Sequence, residues 1–180
     1  MQAKLSLKDR ALQLLAQRDQ SRVELRRKLL RHASCAARDR DISERGVEVA
    51  GHADDDDDDG GEARPFEVEA VLDWLEANRY LSAERFAESR VHAREARFGN
   101  VRIRSELAQH GVALSDAAAE ALAASELERA ASVRERRFPQ PPRDAAERAA
   151  QSRFLAARGF SSEVVHRLMR QVREAGQQSS

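Results

Sequence analysis

Short apolar stripes at helical spacing recur along this chain, and they restrict it to a helical architecture. Leu25 and Leu29 are four residues apart, and Ile103 and Leu107 repeat that spacing further along. Side chains four residues apart lie on one face of a helix, so each stripe predicts a helix with one buried face. Aromatic residues make up only 4% of the chain, which leaves little material for a β-sandwich or barrel core. The sequence therefore predicts an all-α protein.

The predicted helices number about nine, and they group into three copies of a three-helix unit. The segment around Leu107 aligns with the segment around Leu155 at an offset of 48 residues, and Leu25 aligns with Leu107 at an offset of 82. The excess of 34 residues is close to the length of an unpatterned stretch at 34–64. Because each short unit has few large side chains, it must pack against its neighbour. We predict tandem three-helix repeats in an elongated, gently curved molecule, with one compact nine-helix bundle as the alternative.

These alignments predict three repeats and a tail. The first repeat spans 1–82, the second 83–124 and the third 125–175, and 176–180 is predicted to be a disordered tail. The first repeat is interrupted at about 34–64 by an acidic insertion that contains six consecutive aspartates, Asp54 to Asp59. Its spacing does not match a calcium-binding loop. We predict that the insertion is disordered, because it has too little apolar surface to fold.

Charge is balanced over the whole chain but not along it. The 31 basic and 31 acidic residues cancel. Residues 1–40, however, carry eleven basic against four acidic residues, and residues 41–70 carry two against twelve. This asymmetry suggests the hypothesis that the aspartate run mimics nucleic-acid phosphate and competes for the basic face of the same protein.

The sequence contains no recognisable catalytic, cofactor or metal motif. The eight glycines form no phosphate-binding loop, and the five histidines never take the HExxH form. His110 shares a helix face with Ile103 and Leu107, which predicts a half-buried structural role. No apolar run approaches the length of a membrane span, and the first residues lack an apolar signal region. We therefore expect a cytoplasmic protein that has no catalytic residues, cofactor or metal.

Arginine is the remaining chemical signal, since the chain has 28 arginines and three lysines. The planar guanidinium group donates in pairs and suits carboxylate and phosphate. Aromatic residues suitable for base stacking do not alternate with these cations, which disfavours single-strand recognition by stacking. The predicted partner-binding residues are basic and were placed on exposed helix faces: Arg22, Arg26, Arg27, Lys28, Arg31, Arg97, Arg102 and Arg104.

One ordered set of short motifs resembles a known family. The stretch YLSAERFAESRVHAR at 80–94, followed by FG at 98–99 and EL at 106–107, resembles the central signature of the RecX family of recombination regulators, approximately GYLDDxRFAxxxVxxR. The flanks at 21–29 and 154–160 resemble the opening and closing units of the same family. Three positions differ, because Arg79 replaces a common glycine and Ser82 and Ala83 replace paired aspartates.

The resemblance implies a bacterial, cytoplasmic regulator of DNA repair and homologous recombination, built from tandem three-helix repeats. Such proteins bind the RecA recombinase filament on single-stranded DNA, lodge in its groove, and mainly inhibit its ATPase, strand-exchange and SOS coprotease activities. We expect a monomer with no membrane contact and with possible secondary contacts to DNA phosphates. Two alternatives remain: a helical protein that binds DNA directly and without sequence preference, and an enzyme of unknown type.

Overall fold

The described part of the chain consists of helices joined by short turns. The structure is a computed structural model that describes residues 6–45 and 63–178, with side chains described over 6–35 and 65–176. Over these ranges it contains no strands, and the all-α prediction is confirmed. The helices are α1 (Leu7–Gln17), α2 (Arg22–Arg45), α3 (Ala63–Ala77), α4 (Ala83–Glu95), α5 (Asn100–Gln109), α6 (Asp116–Ala124), α7 (Glu126–Arg137), α8 (Ala145–Ala157) and α9 (Ser162–Gln178).

Each group of three consecutive helices has its own hydrophobic cluster. Leu25, Leu29 and Leu72 belong to the cluster of α1 to α3. Separate clusters form within α4 to α6 and within α7 to α9. The leucines that the internal repeat aligns, Leu25, Leu107 and Leu155, have exposed fractions of 0%, 1% and 0%. The predicted tandem three-helix organisation is therefore confirmed.

The chain divides into two compact units, Met1–Ala83 and Glu84–Ser180. The first unit contains α1 to α3, and α2 packs between the other two helices. The second unit contains α4 to α9. Each unit is described by itself below.

The predicted acidic insertion was wrong at its start, because α2 continues to Arg45 and residues 34–45 are helical. This stretch loses the apolar period but keeps strong helix formers, among them Ala36 and Ala37. A helix therefore does not end where its apolar stripe ends. At the other end, α3 begins at Ala63, since Pro65 is tolerated in a first helical turn. The aspartate run, Asp54 to Asp59, lies outside the described residues.

The predicted C-terminal tail was also wrong in part. Helix α9 runs to Gln178, so residues 176–178 are helical. Gly176 costs a helix about 1 kcal/mol relative to alanine, which weakens the last turn without ending it. Residues 179 and 180 lie outside the described part of the chain.

Inside the second unit, two glycines bring the second and third repeats into backbone contact. The amide of Gly99 donates to the carbonyl of Arg158 at 3.0 Å, and the amide of Val101 donates to the carbonyl of Gly159 at 3.0 Å. Gly159 has a φ of 78°, a conformation that side chains disfavour. These bonds join the start of α5 to the turn between α8 and α9.

The buried carboxylate of Glu126, at the start of α7, adds hydrogen bonds to this contact between the second and third repeats. It is only 4% exposed. Its Oε1 accepts from the amides of Asn100 at 3.0 Å and Ser161 at 3.1 Å, and its Oε2 accepts from the Ser161 hydroxyl at 3.0 Å. Both amides lie at helix starts, where a carboxylate is favourable. One side chain thus caps helices of two different repeats.

Arg129, one turn further along α7, also connects the second and third repeats. Its guanidinium donates to the carbonyls of Glu95 at 3.2 Å, Phe98 at 3.0 Å and Leu122 at 2.9 Å, and to Oδ1 of Asn100 at 2.6 Å. Burial lowers the pKa of Arg129 from its usual value, while the charges of nearby glutamates oppose that shift. The arginine therefore acts as a structural connection between repeats.

The turn that follows α3 contains Arg79, one of the three positions at which the sequence departs from the RecX signature. Arg79 has a φ of 60°, the left-handed region. The amides of Tyr80 and Leu81 both donate to the carbonyl of Leu75, at 2.9 and 3.1 Å, and close the helix end. Glycine adopts this conformation without steric cost, which explains why the family signature has glycine here.

Candidate partner-binding surfaces

Three of the five predicted basic residues of α2 are held by acidic residues of the same unit. Arg22 contacts Glu69, Asp73 and Glu76 of α3, each at 2.7 Å. The hydrogen bonds that Arg22 donates to Asp73 and Glu69 raise the pKa of Arg22 above its usual value. Arg26 also pairs with Glu69. The charges of these two arginines are therefore compensated by α3, and their first role is to join α2 to α3.

Lys28 takes part in a second internal network, at the turn between α1 and α2. Its ammonium donates to Oε1 of Gln20 at 2.8 Å and lies 3.2 Å from Oε1 of Glu24. Gln20 is only 2% exposed and donates to the carbonyl of Leu14 at 2.6 Å. Glu24 also pairs with Arg18, and although burial opposes the effect, its two cations lower its pKa below the usual value. Lys28 is thus bound within its own repeat.

Arg27 and Arg31 differ from these residues. Both are exposed, and neither forms a salt bridge with any residue whose side chain the structure describes. They are four residues apart on one helix, so they lie on the same face, one turn from each other. Of the basic strip predicted on α2, this pair is the part available to an acidic partner.

In the second unit, two of the three predicted residues lie beside a half-buried aromatic ring, that of Phe98. The guanidinium carbon of Arg102 lies 4.3 Å from the centre of the Phe98 ring, and that of Arg97 lies 5.8 Å from it. Arg102 also approaches Glu106 at 3.4 Å, but Arg94 makes the closer contact with that carboxylate, at 3.0 Å. The ring therefore holds several cations at one surface near the start of α5.

Arg104, also on α5, is exposed and forms no salt bridge with a described residue. His110 is half-buried, as its position on the Ile103 face predicts, and packs edge-on against Phe86 with ring centres 5.1 Å apart. Arg90 donates to its Nε2 at 3.3 Å. This histidine supports the second repeat.

Sequence reasoning missed a basic cleft in the third repeat, between α8 and α9. The cleft has a volume of about 510 Å³ and is lined mainly by arginines: Arg148, Glu163, His166, Arg167, Met169, Arg170 and Arg173. A signal was present in the three-residue spacing of Arg167, Arg170 and Arg173. Arg148, however, belongs to another helix, and only the packing of α8 against α9 brings it to the same surface.

The described residues contain no group of three or more side chains suited to hold a metal ion. None of their helices is long and apolar enough to cross a membrane. What the fold presents instead is a series of helical repeats with separate basic surfaces. These features define the class as a helical-repeat protein.

Comparison with known proteins identifies the family. The model of the second three-helix domain of RecX matches residues 84–122, and that of the third matches residues 124–169. The chain is 46% identical to the regulatory protein RecX of Ralstonia nicotianae over 92% of its own length and 87% of that protein. It is also 46% identical to the regulatory protein RecX of Herbaspirillum seropedicae, over 93% and 88%.

A solved structure agrees in fold. RecX from Lactobacillus salivarius has a TM-score of 0.59 with this chain at 16% identity, and the match covers 92% of this chain and 94% of that one. The chain belongs to the RecX family of regulatory proteins. These relatives carry the name of a regulatory protein and not of an enzyme.

Proposed function

We propose that this protein binds the RecA recombinase filament on single-stranded DNA and mainly inhibits its ATPase, strand-exchange and coprotease activities. It acts in the cytoplasm, as a monomer without a cofactor, in the regulation of DNA repair and recombination. The observation that carries the proposal is the 46% identity to regulatory RecX proteins over nearly the whole chain. The helical repeats and their basic surfaces support it, because a binding protein needs surfaces and no reaction centre.

Within that proposal, the recombinase contacts are the exposed arginines among the predicted residues that are not paired with α3; of these only Arg102 has an acidic neighbour, Glu106, which it shares with Arg94. Arg27 and Arg31 are the first pair, since both are exposed on one face of α2. The second set consists of Arg97 and Arg102, which lie near Phe98, and of Arg104, which is exposed on α5. Arg22, Arg26 and Lys28 contribute by shaping α2, because their charges are already paired inside the unit.

The test is ATP hydrolysis by the cognate recombinase on single-stranded DNA, with this protein added from substoichiometric amounts. Binding of the protein to naked DNA is measured in parallel. We expect inhibition well below the concentration that coats naked DNA. Inhibition only at coating concentrations, or none, would contradict filament regulation and favour the alternative of direct DNA binding.

Charge reversal tests the contact residues. The double variant Arg27→Glu, Arg31→Glu is expected to raise the half-inhibitory concentration about tenfold, since each exposed ion pair contributes about 0.7 kcal/mol. Arg153→Glu is the matched control, because Arg153 is an exposed arginine outside the proposed set. An unchanged inhibitory concentration, in a double variant that melts at the wild-type temperature, would remove Arg27 and Arg31 from the proposal.

A further inference from the structure

The cleft between α8 and α9 is a basic surface that lies outside the proposed filament contacts. Four arginines line it, and Glu163 is its one carboxylate. None of the four forms a salt bridge with a described residue. On α2, in contrast, α3 supplies a carboxylate to each of Arg22 and Arg26. The third repeat therefore presents cations whose counter-ions must come from outside the described fold.

A second hollow continues the cleft toward the start of α8. It has a volume of about 330 Å³, shares Arg148 and Arg173 with the first, and adds Arg143 and Asp144. Together the two hollows are lined by five arginines and two carboxylates. The basic surface is therefore elongated along α9. An elongated basic surface suits an extended anion better than a single small anion.

Spacing and donor geometry indicate what that anion is. Arg167, Arg170 and Arg173 follow one another at about 4.5 Å of helix rise, so their backbone positions span about 9 Å along the helix axis. Each guanidinium has a planar fork that matches a phosphate group. A row of such forks matches a chain that carries one phosphate at each regular step.

The lining also argues against a protein partner and against base recognition. The one apolar side chain of the cleft, Met169, is only 6% exposed, and the apolar residues Pro141, Pro142 and Val172 line only the second hollow. A stable protein interface needs apolar or aromatic anchors in its centre. Base stacking relies on exposed rings, and no phenylalanine, tyrosine or tryptophan lines either hollow, so the His166 imidazole is the one ring there. What remains is contact with phosphates, which positions a strand without reading its sequence.

We propose that the cleft between α8 and α9 binds the phosphodiester backbone of a nucleic-acid strand, without sequence preference, through Arg148, Arg167, Arg170 and Arg173. This contact is separate from the proposed recombinase contacts. It adds a nucleic-acid site to the third repeat, and it holds for the protein in the absence of recombinase.

The test is fluorescence anisotropy of a labelled 20-nucleotide thymidine strand, with the full chain and no recombinase, between 50 and 200 mM NaCl. The variant Arg167→Gln, Arg170→Gln, Arg173→Gln is expected to bind at least tenfold more weakly at 50 mM NaCl. The slope of the logarithm of the binding constant against the logarithm of the NaCl concentration is expected to become less steep by about 2. Each lost phosphate contact on a single strand reduces the magnitude of that slope by about 0.7. The matched control is Arg85→Gln, Arg137→Gln, Arg153→Gln, which removes three exposed arginines outside every proposed surface. It is expected to keep the wild-type affinity and the wild-type salt slope.

A triple lysine variant keeps the test valid if the triple glutamine variant of the cleft fails to fold. Arg167→Lys, Arg170→Lys, Arg173→Lys retains the charge, so its salt slope stays at the wild-type value even where affinity drops. Equal loss in the cleft variant and in the control would overturn the site. Displacement of the strand by polyglutamate as readily as by unlabelled DNA would overturn the phosphodiester assignment and favour an acidic peptide.

The recombinase assay separates this inference from the proposed function. A cleft variant that loses the strand but still inhibits the recombinase ATPase supports both proposals. A wild-type protein that binds the strand through the cleft and has no effect on the recombinase supports the inference alone. Loss of inhibition in the Arg27, Arg31 charge reversal, with strand binding intact, shows that the two surfaces act independently.

Discussion

Gly99 lies so close to Phe160 that a Cβ carbon at position 99 would be 2.2 Å from the Phe160 nitrogen. The obstruction is backbone and cannot rotate away. We therefore expect Gly99→Ala to lower the free energy of unfolding of the second unit by about 2–3 kcal/mol, the usual cost of severe overpacking. Urea unfolding followed by circular dichroism measures this change.

Gly176→Ala is the matched control for that substitution. The nearest atom to a Cβ carbon at position 176 is in the Pro141 side chain at 4.0 Å, an ordinary contact. Since this glycine lies within α9, alanine is expected to stabilise the protein by about 0.5 kcal/mol. Equal effects of the two substitutions would contradict the close approach at Gly99.

Arg129→Lys is expected to destabilise the second unit by about 2 kcal/mol. A single ammonium cannot reach the carbonyls of Phe98 and Leu122 and the Asn100 amide oxygen together, so buried acceptors lose their donors. Arg136→Lys is the control, because Arg136 is exposed, and there we expect a change below about 0.5 kcal/mol. The melting temperatures of the two variants show whether the stability of the second unit requires the guanidinium group of Arg129.

The first unit is expected to lose stability in acid. Hydrogen bonds from Arg26 and then Arg22 lower the pKa of Glu69, so this carboxylate stabilises the fold above its unfolded-state pKa of about 4.3. That contribution is lost as the pH falls through the depressed folded-state pKa. Between pH 7 and pH 3 the urea midpoint of Glu69→Gln should fall less than that of the wild type. Equal decreases of the urea midpoint in the wild type and in Glu69→Gln would show that Glu69 contributes nothing to the loss of stability in acid.

Arg79→Gly is expected to stabilise the turn after α3 by about 0.5–1 kcal/mol. A side chain at a φ of 60° costs about 1–2 kcal/mol, and the extra freedom of glycine in the unfolded chain offsets part of the gain. Arg79→Ala is the control that removes the arginine side chain but keeps a Cβ carbon. If both variants change the melting temperature equally, the effect belongs to the side chain and not to the backbone.

The hypothesis for the aspartate run is tested by replacing Asp54 to Asp59 with asparagine in the full chain. Competition with phosphate predicts that the variant binds single-stranded DNA more tightly, most clearly at low salt, where charge repulsion is least screened. A deletion for the same purpose should lie within 47–61, because α2 extends to Arg45 and α3 begins at Ala63. Unchanged affinity at 50 mM NaCl would contradict competition.

The buried positions of this protein were readable from sequence, because burial follows local period. Leu25, Leu107 and Leu155 are each four residues from another large apolar side chain or next to one, and all three lie in a hydrophobic cluster. The ends of α2 and α9 could not be predicted from the apolar pattern. Their last turns extend beyond the apolar stripe, and helix propensity alone carries the chain onward.

Periodicity along the chain thus determined the helices, their buried faces and the repeat, since each depends on residues within a few positions of one another. Which cations are available was decided by packing. Arg22 and Arg27 both belong to the cations predicted on α2, but of the two only Arg22 is compensated by Glu69, Asp73 and Glu76, which lie about 50 residues away in sequence. Arg148 joins the arginines of α9 for the same reason, because surface charge depends on which helices meet, and that contact is formed between residues distant in sequence.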